Sequence, residues 1–114
     1  MMMVCGFAIT SSHAQTTPVN TPQDLAANRV KIDSLDNQLI KILGEREQIV
    51  KEIGIYKAKN HIAPLQAARF KEVLDKAVAK GAKEGLSAGF VTDLMNAIHE
   101  ESLRIERDST VVKQ

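Results

Sequence analysis

The chain has 114 residues, enough for one domain around one core. Hydrophobic residues make up 44% and aromatics only 4%, with no tryptophan, so that core is aliphatic. With 15 Lys+Arg against 14 Asp+Glu the net charge is +1, and there is neither a basic excess nor an aromatic platform for stacking bases. Nucleic-acid binding is thereby excluded, and any anion site must be local, built from a few placed cations.

Residues 1–14 carry no Asp, Glu, Lys or Arg. An apolar run to Ile9, then Ser12-His13-Ala14, resembles a signal-peptide remnant with an Ala-type cleavage site, although the basic n-region is missing. This implies a periplasmic or secreted protein; the alternative is an uncleaved N-terminus and a cytoplasmic one. The segment is too short to span a bilayer, and no membrane association is expected. Cys5 is the single cysteine, so its removal leaves no disulfide and no thiolate metal site. His13, His61 and His99 lack ligand spacing, and no metal is expected. His99 reads as a surface or hydrogen-bonded residue.

Residues 15–21 form a polar linker. Thr21-Pro22-Gln23-Asp24 then starts a helix, with Thr21 as N-cap, Pro22 in the first turn and Asp24 as acidic capping partner. The amphipathic pattern runs to Lys59, with Leu25, Ile32, Leu35, Leu39, Ile42, Ile49, Ile53 and Tyr56 on one stripe. Asn28 and Arg46 interrupt that stripe. Gly44 and Gly54 each weaken the helix by about 1 kcal/mol relative to Ala, and permit a bend or a close helix approach. The stretch 60–64 ends the helix, because Pro64 biases Ala63 away from helical geometry.

A second helix over about 66–83 places Phe70, Val73, Leu74, Ala77, Val78 and Gly81 on one side, with Gly85 as C-cap. Ser87 caps a third, over about 88–108, with Val91, Leu94, Ile98 and Ile105 as its stripe and Phe90 and Met95 flanking. Residues 109–114 form a frayed tail. The fold class is all-α: one very long helix and two medium ones over residues 22–108. Three helices of unequal length leave the long one half unsupported, and a second copy can lie along it.

The cations pose the functional question. Arg46 falls between Ile42 and Ile49, where an unpaired charge costs several kcal/mol. It either snorkels to the bundle edge, joins a buried salt bridge or holds a ligand. Glu45 and Glu47, its sequence neighbours, point elsewhere on the helix. Lys57 follows Arg46 by close to three whole turns, so the two point the same way about 16 Å apart. Arg29 lies about 25 Å from Arg46 along a straight helix, rotated by roughly 100°. One small ligand cannot touch both on one chain, but could touch Arg29 of one copy and Arg46 of another. Taken alone, Arg29 is better read as a solvated surface residue. Ser102 and Glu106, four apart, share a helix face beside the core stripe, either as an exposed polar edge or as part of a site.

The ordered set decides between these readings. Arg29-x-x-Ile32-Asp33-x-Leu35-Asp36, Glu45-Arg46, Tyr56-Lys57, Arg69, and Ile98-His99-Glu100-Glu101-Ser102-x-x-x-Glu106 resembles the all-helical chorismate mutase family. The resemblance covers about residues 25–107. It implies an intertwined homodimer of three-helix chains with two active sites shared between them. It implies an isomerase that rearranges chorismate to prephenate without cofactor, nucleophile or general base, as in aromatic amino acid biosynthesis. Arg29 from the partner chain, Arg46 and Arg69 would bind the two carboxylates of this dianionic substrate. Lys57 would contact the ether oxygen and a carboxylate, and Ser102 would help hold a carboxylate. Glu106, where many members have Gln and others Glu, would face the ether oxygen and must be protonated to donate to it. Lys57, Glu106 and Arg46 are the catalytic set so implied. Phe70 departs from the pattern, since many members place there a Glu that meets the substrate's ring hydroxyl. Gln66 or a backbone group in 64–67 would take over that contact, or Phe70 faces the core. The other readings are an isochorismate pyruvate-lyase, a mutase acting on an amino analogue of chorismate, and a non-catalytic helical dimerisation module.

Overall fold

The computed structural model describes residues 16–110, so the signal-peptide reading of residues 1–14 and the last four tail residues lie outside the described residues. Three α-helices follow one another: α1 Pro22–Lys59, α2 Ala67–Lys83 and α3 Ala88–Thr110. There is no strand among the described residues, as an all-α fold requires. α3 runs two residues beyond the expected end, and the Ser109 hydroxyl donates to the Ile105 carbonyl at 2.7 Å. The chain divides into two compact units, Met1–Gln38 and Leu39–Gln114.

In the first unit, α1 begins as its sequence dictates. The Asp24 amide donates to Thr21 Oγ1 and the Thr21 amide donates back to Asp24 Oδ2, both at 3.1 Å. This reciprocal pair is a capping box. The Asn20 amide also donates to Asp24 Oδ2; that bond first, and the Thr21 hydroxyl second, hold the Asp24 carboxyl below its usual range. The linker is tied down rather than free: Asn28 Nδ2 donates to the Thr17 carbonyl at 3.1 Å and Lys31 Nζ to its hydroxyl at 3.3 Å.

In the second unit, both interhelical turns close by one hydrogen-bond pattern. After α1 the Ile62 amide donates to the Lys57 carbonyl at 2.8 Å and the His61 amide to that of Ala58. After α2 the Leu86 amide donates to Gly81 at 2.9 Å and the Gly85 amide to Ala82. Each is a Schellman-type stop, which needs a left-handed residue at its pivot. Gly85 supplies one with φ 79°, but His61 supplies the other with φ 56°. The helix therefore stops at His61, ahead of the constraint from Pro64. A side chain in that conformation costs about 1–2 kcal/mol, partly offset by the entropy a glycine loses on folding. His61→Gly is expected to stabilise the protein by about 0.5–1 kcal/mol in urea unfolding.

α2 and α3 pack through small residues. A Cβ on the buried Gly81 would meet Val91 Cγ2 at 2.6 Å, so only glycine lets these helices approach so closely. Val91 is buried, and Val73, Leu74, Ala77, Val78, Leu94 and Ile98 are half-buried along the same two helices. α3 also meets α1 at Gly54, where an added Cβ would lie 2.9 Å from Glu106 Cα. Ser87 caps α3 through its hydroxyl, which accepts from the Phe90 amide at 3.2 Å.

The α1 pattern needs one correction. Within this unit most of its apolar stripe does not face the other helices: Leu39, Ile42, Ile49 and Tyr56 are all exposed. Of the whole helix only Val50 and Gly54 are buried. The inward face is instead Arg46, Val50, Gly54 and Lys57, at helical spacing of four, four and three. Arg46 is thus not an intruder in the apolar seam. It belongs to a second, narrower face, and the apolar stripe is left uncovered.

Candidate active site

Inside the Leu39–Gln114 unit a cavity of about 340 Å³ opens among the three helices. Arg46, Gln66, Arg69, Ser102 and Glu106 line it, five residues singled out by sequence. Val50, Ile53, Phe70, Val73 and Met95 make its apolar wall, completed by Pro64 and His99. The hole is polar at one set of residues and oily at another, as a small-molecule pocket is.

Two charged clusters form the polar part. Lys57 Nζ lies 3.2 Å from each carboxylate oxygen of Glu106 and donates to the Pro64 carbonyl at 2.9 Å. Both side chains are nearly enclosed, 15% and 8% exposed. Gly54 makes this possible, because it lets the α3 backbone at Glu106 come against α1 one turn before Lys57. The second cluster is centred on Arg46. Its NH1 donates to Ser102 Oγ at 2.7 Å and to Glu47 Oε1 at 2.7 Å. Ser102 is buried, 3.1 Å from both Glu47 oxygens, and its hydroxyl also reaches the Ile98 carbonyl at 2.9 Å. Of the three possibilities open for Arg46, the structure shows a partly buried ion pair.

The pairing with Glu47 corrects the expectation that this residue points elsewhere. Adjacent helical side chains diverge by about 100° at the Cα, but a long arginine can swing its head sideways to a neighbour. The shared partner across the helix pair is Ser102, and no sequence spacing could announce it. The Pro64 carbonyl was equally invisible, since a backbone acceptor carries no residue signature.

The other predicted residues are placed as follows. Arg69 is 64% exposed and pairs with Glu72 at 3.2 Å, a carboxylate that Lys76 also takes at 2.8 Å. Lys76 first and Arg69 second keep the Glu72 carboxyl below its usual range. Gln66 is the residue before α2 and makes no side-chain cap. Arg29 is exposed on α1, in the first unit.

His99 departs from its surface-or-bonded reading. Its ring stacks on Phe70 with centroids 3.9 Å apart and planes 17° from parallel, and its Nε2 is buried without a hydrogen-bond partner among the described residues. Burial lowers the imidazole's affinity for a proton; the Glu106 charge opposes this, and Arg46 and Lys57 reinforce it. Phe70 is therefore in the wall with His99, and no carboxylate stands at its position.

Residues 28–107 match the family described as chorismate mutase type II. The chain is 32% identical over 79 residues to the bifunctional chorismate mutase/prephenate dehydratase of Escherichia coli (strain K12), covering 69% of this chain and 20% of that protein. The protein of the same description from Buchnera aphidicola subsp. Acyrthosiphon pisum (strain APS) is likewise 32% identical, with the same coverage. The chain thus spans about a fifth of the length of these bifunctional relatives. A 4-amino-4-deoxychorismate mutase of Streptomyces pristinaespiralis is 28% identical over 99 residues, 87% of this chain and 77% of that protein.

Proposed function

The chain belongs to the chorismate mutase type II family, and from that premise we propose that it is an isomerase converting chorismate to prephenate. The observation that carries this is the convergence of Arg46, Ser102 and Glu106, from two helices, on one cavity that Gln66 and Arg69 also edge, with Lys57 bonded to Glu106. The reaction is an intramolecular rearrangement in which a C–O bond breaks as a C–C bond forms. It needs a folded substrate and stabilisation of the charge that grows on the ether oxygen. Arg46 and Arg69 orient the carboxylates as fixed guanidinium donors. Lys57 and, in its acid form, Glu106 stand as donors to the ether oxygen, preorganised by the fold. The apolar wall of Val50, Ile53 and Val73 receives the carbon skeleton. No step calls for a cofactor.

In this reading substrate must part Lys57 from Glu106, because the two now satisfy each other. Glu106 can donate only as a neutral acid; as a carboxylate it repels the developing charge. The amide of Glu106→Gln donates from the same place, and this variant is expected to keep kcat/KM within about tenfold of wild type. A folded but inactive Glu106→Gln would count against this role.

The reading extends to a homodimer with shared sites. The exposed apolar residues of α1 support it: Ile42, Ile49 and Tyr56 are each at least 60% exposed. Covering such side chains contributes roughly 1.5–3 kcal/mol apiece. Arg29 then belongs to the partner's site. Export is proposed from residues 1–14, and a mature protein beginning at Gln15 by mass spectrometry is its test.

A second reading concerns the substrate's ring. Phe70 lines the cavity and cannot accept a hydrogen bond from a hydroxyl, whereas the face of its ring attracts a cation. An amino analogue of chorismate fits that wall, in line with the Streptomyces relative's description. Incubation with chorismate, isochorismate and 4-amino-4-deoxychorismate, with product analysis, decides among mutase, lyase and analogue mutase. Failure to consume any of the three would leave a helical dimerisation module.

A further inference from the structure

We infer that Glu47 is a positioning residue, which holds Arg46 and Ser102 in the geometry that receives a substrate carboxylate. This rests on the chorismate mutase reading and adds to it a residue that does not touch the ligand. Arg46 and Ser102 line the cavity and Glu47 does not. The Glu47 side chain is 14% exposed and that of Arg46 38% exposed, so the carboxylate is the more enclosed of the two.

The hydrogen count fixes what Glu47 does. Arg46 NH1 has two hydrogens; one goes to Glu47 Oε1 and the other to Ser102 Oγ. That nitrogen is saturated by the protein. The Nε and NH2 edge of the guanidinium is what remains for an incoming carboxylate. The Ser102 hydroxyl has one hydrogen, which faces the Glu47 oxygens or the Ile98 carbonyl. Glu47 therefore closes a ring of three groups and fixes the plane of a guanidinium that Ser102 alone would hold at a single point. Ordering a long flexible cation before the ligand arrives removes that cost from binding.

The carboxylate also carries a charge, and this gives the inference a sharp opposite. A negative group beside a dianion site weakens binding by repulsion. If Glu47 were only an internal occupant of the anion position, its removal would tighten substrate binding. A positioning role predicts the reverse.

The test is steady-state kinetics with chorismate on wild type, Glu47→Ala, Glu47→Gln and Ser102→Ala, with helicity checked by circular dichroism. Glu47→Ala is expected to raise KM about tenfold with kcat changed much less, as a misplaced clamp does. Glu47→Gln keeps an oxygen that accepts from both partners, and is expected to bring KM back to within about threefold of wild type. Adding Glu47→Ala to Ser102→Ala is expected to cost less than adding it to wild type, because the two act through one network. An unchanged or lowered KM in Glu47→Ala overturns the inference, as does full additivity in the double variant. If wild type does not consume chorismate, the functional reading fails and takes this inference with it. If wild type turns over and the Glu47 variants match it, only the inference fails.

Discussion

Lys57→Ala is expected to lower kcat/KM for chorismate by about 10²–10³-fold, the effect of deleting one preorganised donor to a developing oxyanion. It is also expected to destabilise the fold. Lys57 is the cation nearest a carboxylate that is 8% exposed, and it lies 3.2 Å from both of its oxygens. Removing it leaves Glu106 enclosed and uncompensated, at about 3–5 kcal/mol. It also strips the Pro64 carbonyl of its donor, in the connection between α1 and α2. Against a total stability of about 5–15 kcal/mol this is a large fraction, so lost activity alone would be ambiguous. The pair Lys57→Met with Glu106→Leu resolves it. Replacing a buried ion pair by apolar groups of similar volume is often neutral or stabilising. The double variant is therefore expected to recover most of the lost stability in urea, short of the Pro64 contact, while remaining inactive. Recovery of turnover together with stability would show that neither Lys57 nor Glu106 does chemistry.

The helices and their ends were legible because each rests on local chemistry. Thr21 with Asp24, Ser87 and Gly85 declare the caps through side-chain oxygens and a left-handed glycine. His61 did not, because nothing in its side chain marks it for positive φ; the turn around it imposes that. The site was half legible. Arg46 and Lys57 share a face by helical arithmetic, and Ser102 and Glu106 share another. That the two faces meet depends on Gly54, whose missing side chain admits the α3 backbone. The sequence pattern misplaced the packing face because it weighs hydrophobicity alone. On α1 the residues turned inward include an arginine, a valine, a glycine and a lysine, and Ile42 and Ile49 are turned out. Hydrophobic periodicity finds the larger apolar face, whichever surface will eventually cover it. The Phe70–His99 stack and the Glu47–Ser102 contact join residues with no common spacing, and only the fold brings them together.

A chain bearing Arg29→Ala and a chain bearing Arg46→Ala, each inactive alone, are expected to regain activity when mixed and allowed to exchange. The outward apolar residues of α1 include Ile32 and Leu35 in the first unit and Leu39, Ile42 and Ile49 in the second, each at least 49% exposed. Isolated exposed aliphatics are ordinary, but so many on one helix call for a partner surface. A symmetric partner supplies the same helix, so any residue lent by one copy is lent back by the other. If Arg29 completes the partner's site, a mixed dimer has one site with both arginines and one with neither. Random exchange makes half the dimers mixed, each with one working site of two, so about a quarter of wild-type activity is expected. Arg46→Ala also frees Glu47 and Ser102, so its folding must be checked by circular dichroism and its dimerisation by sedimentation. Both arginines acting within one chain's own site predict no recovery at any ratio. No rescue between folded, exchanging dimers would therefore overturn the shared site. A rescue near one quarter would fix which chain each arginine serves, because no single-chain site can be restored by mixing two defective ones.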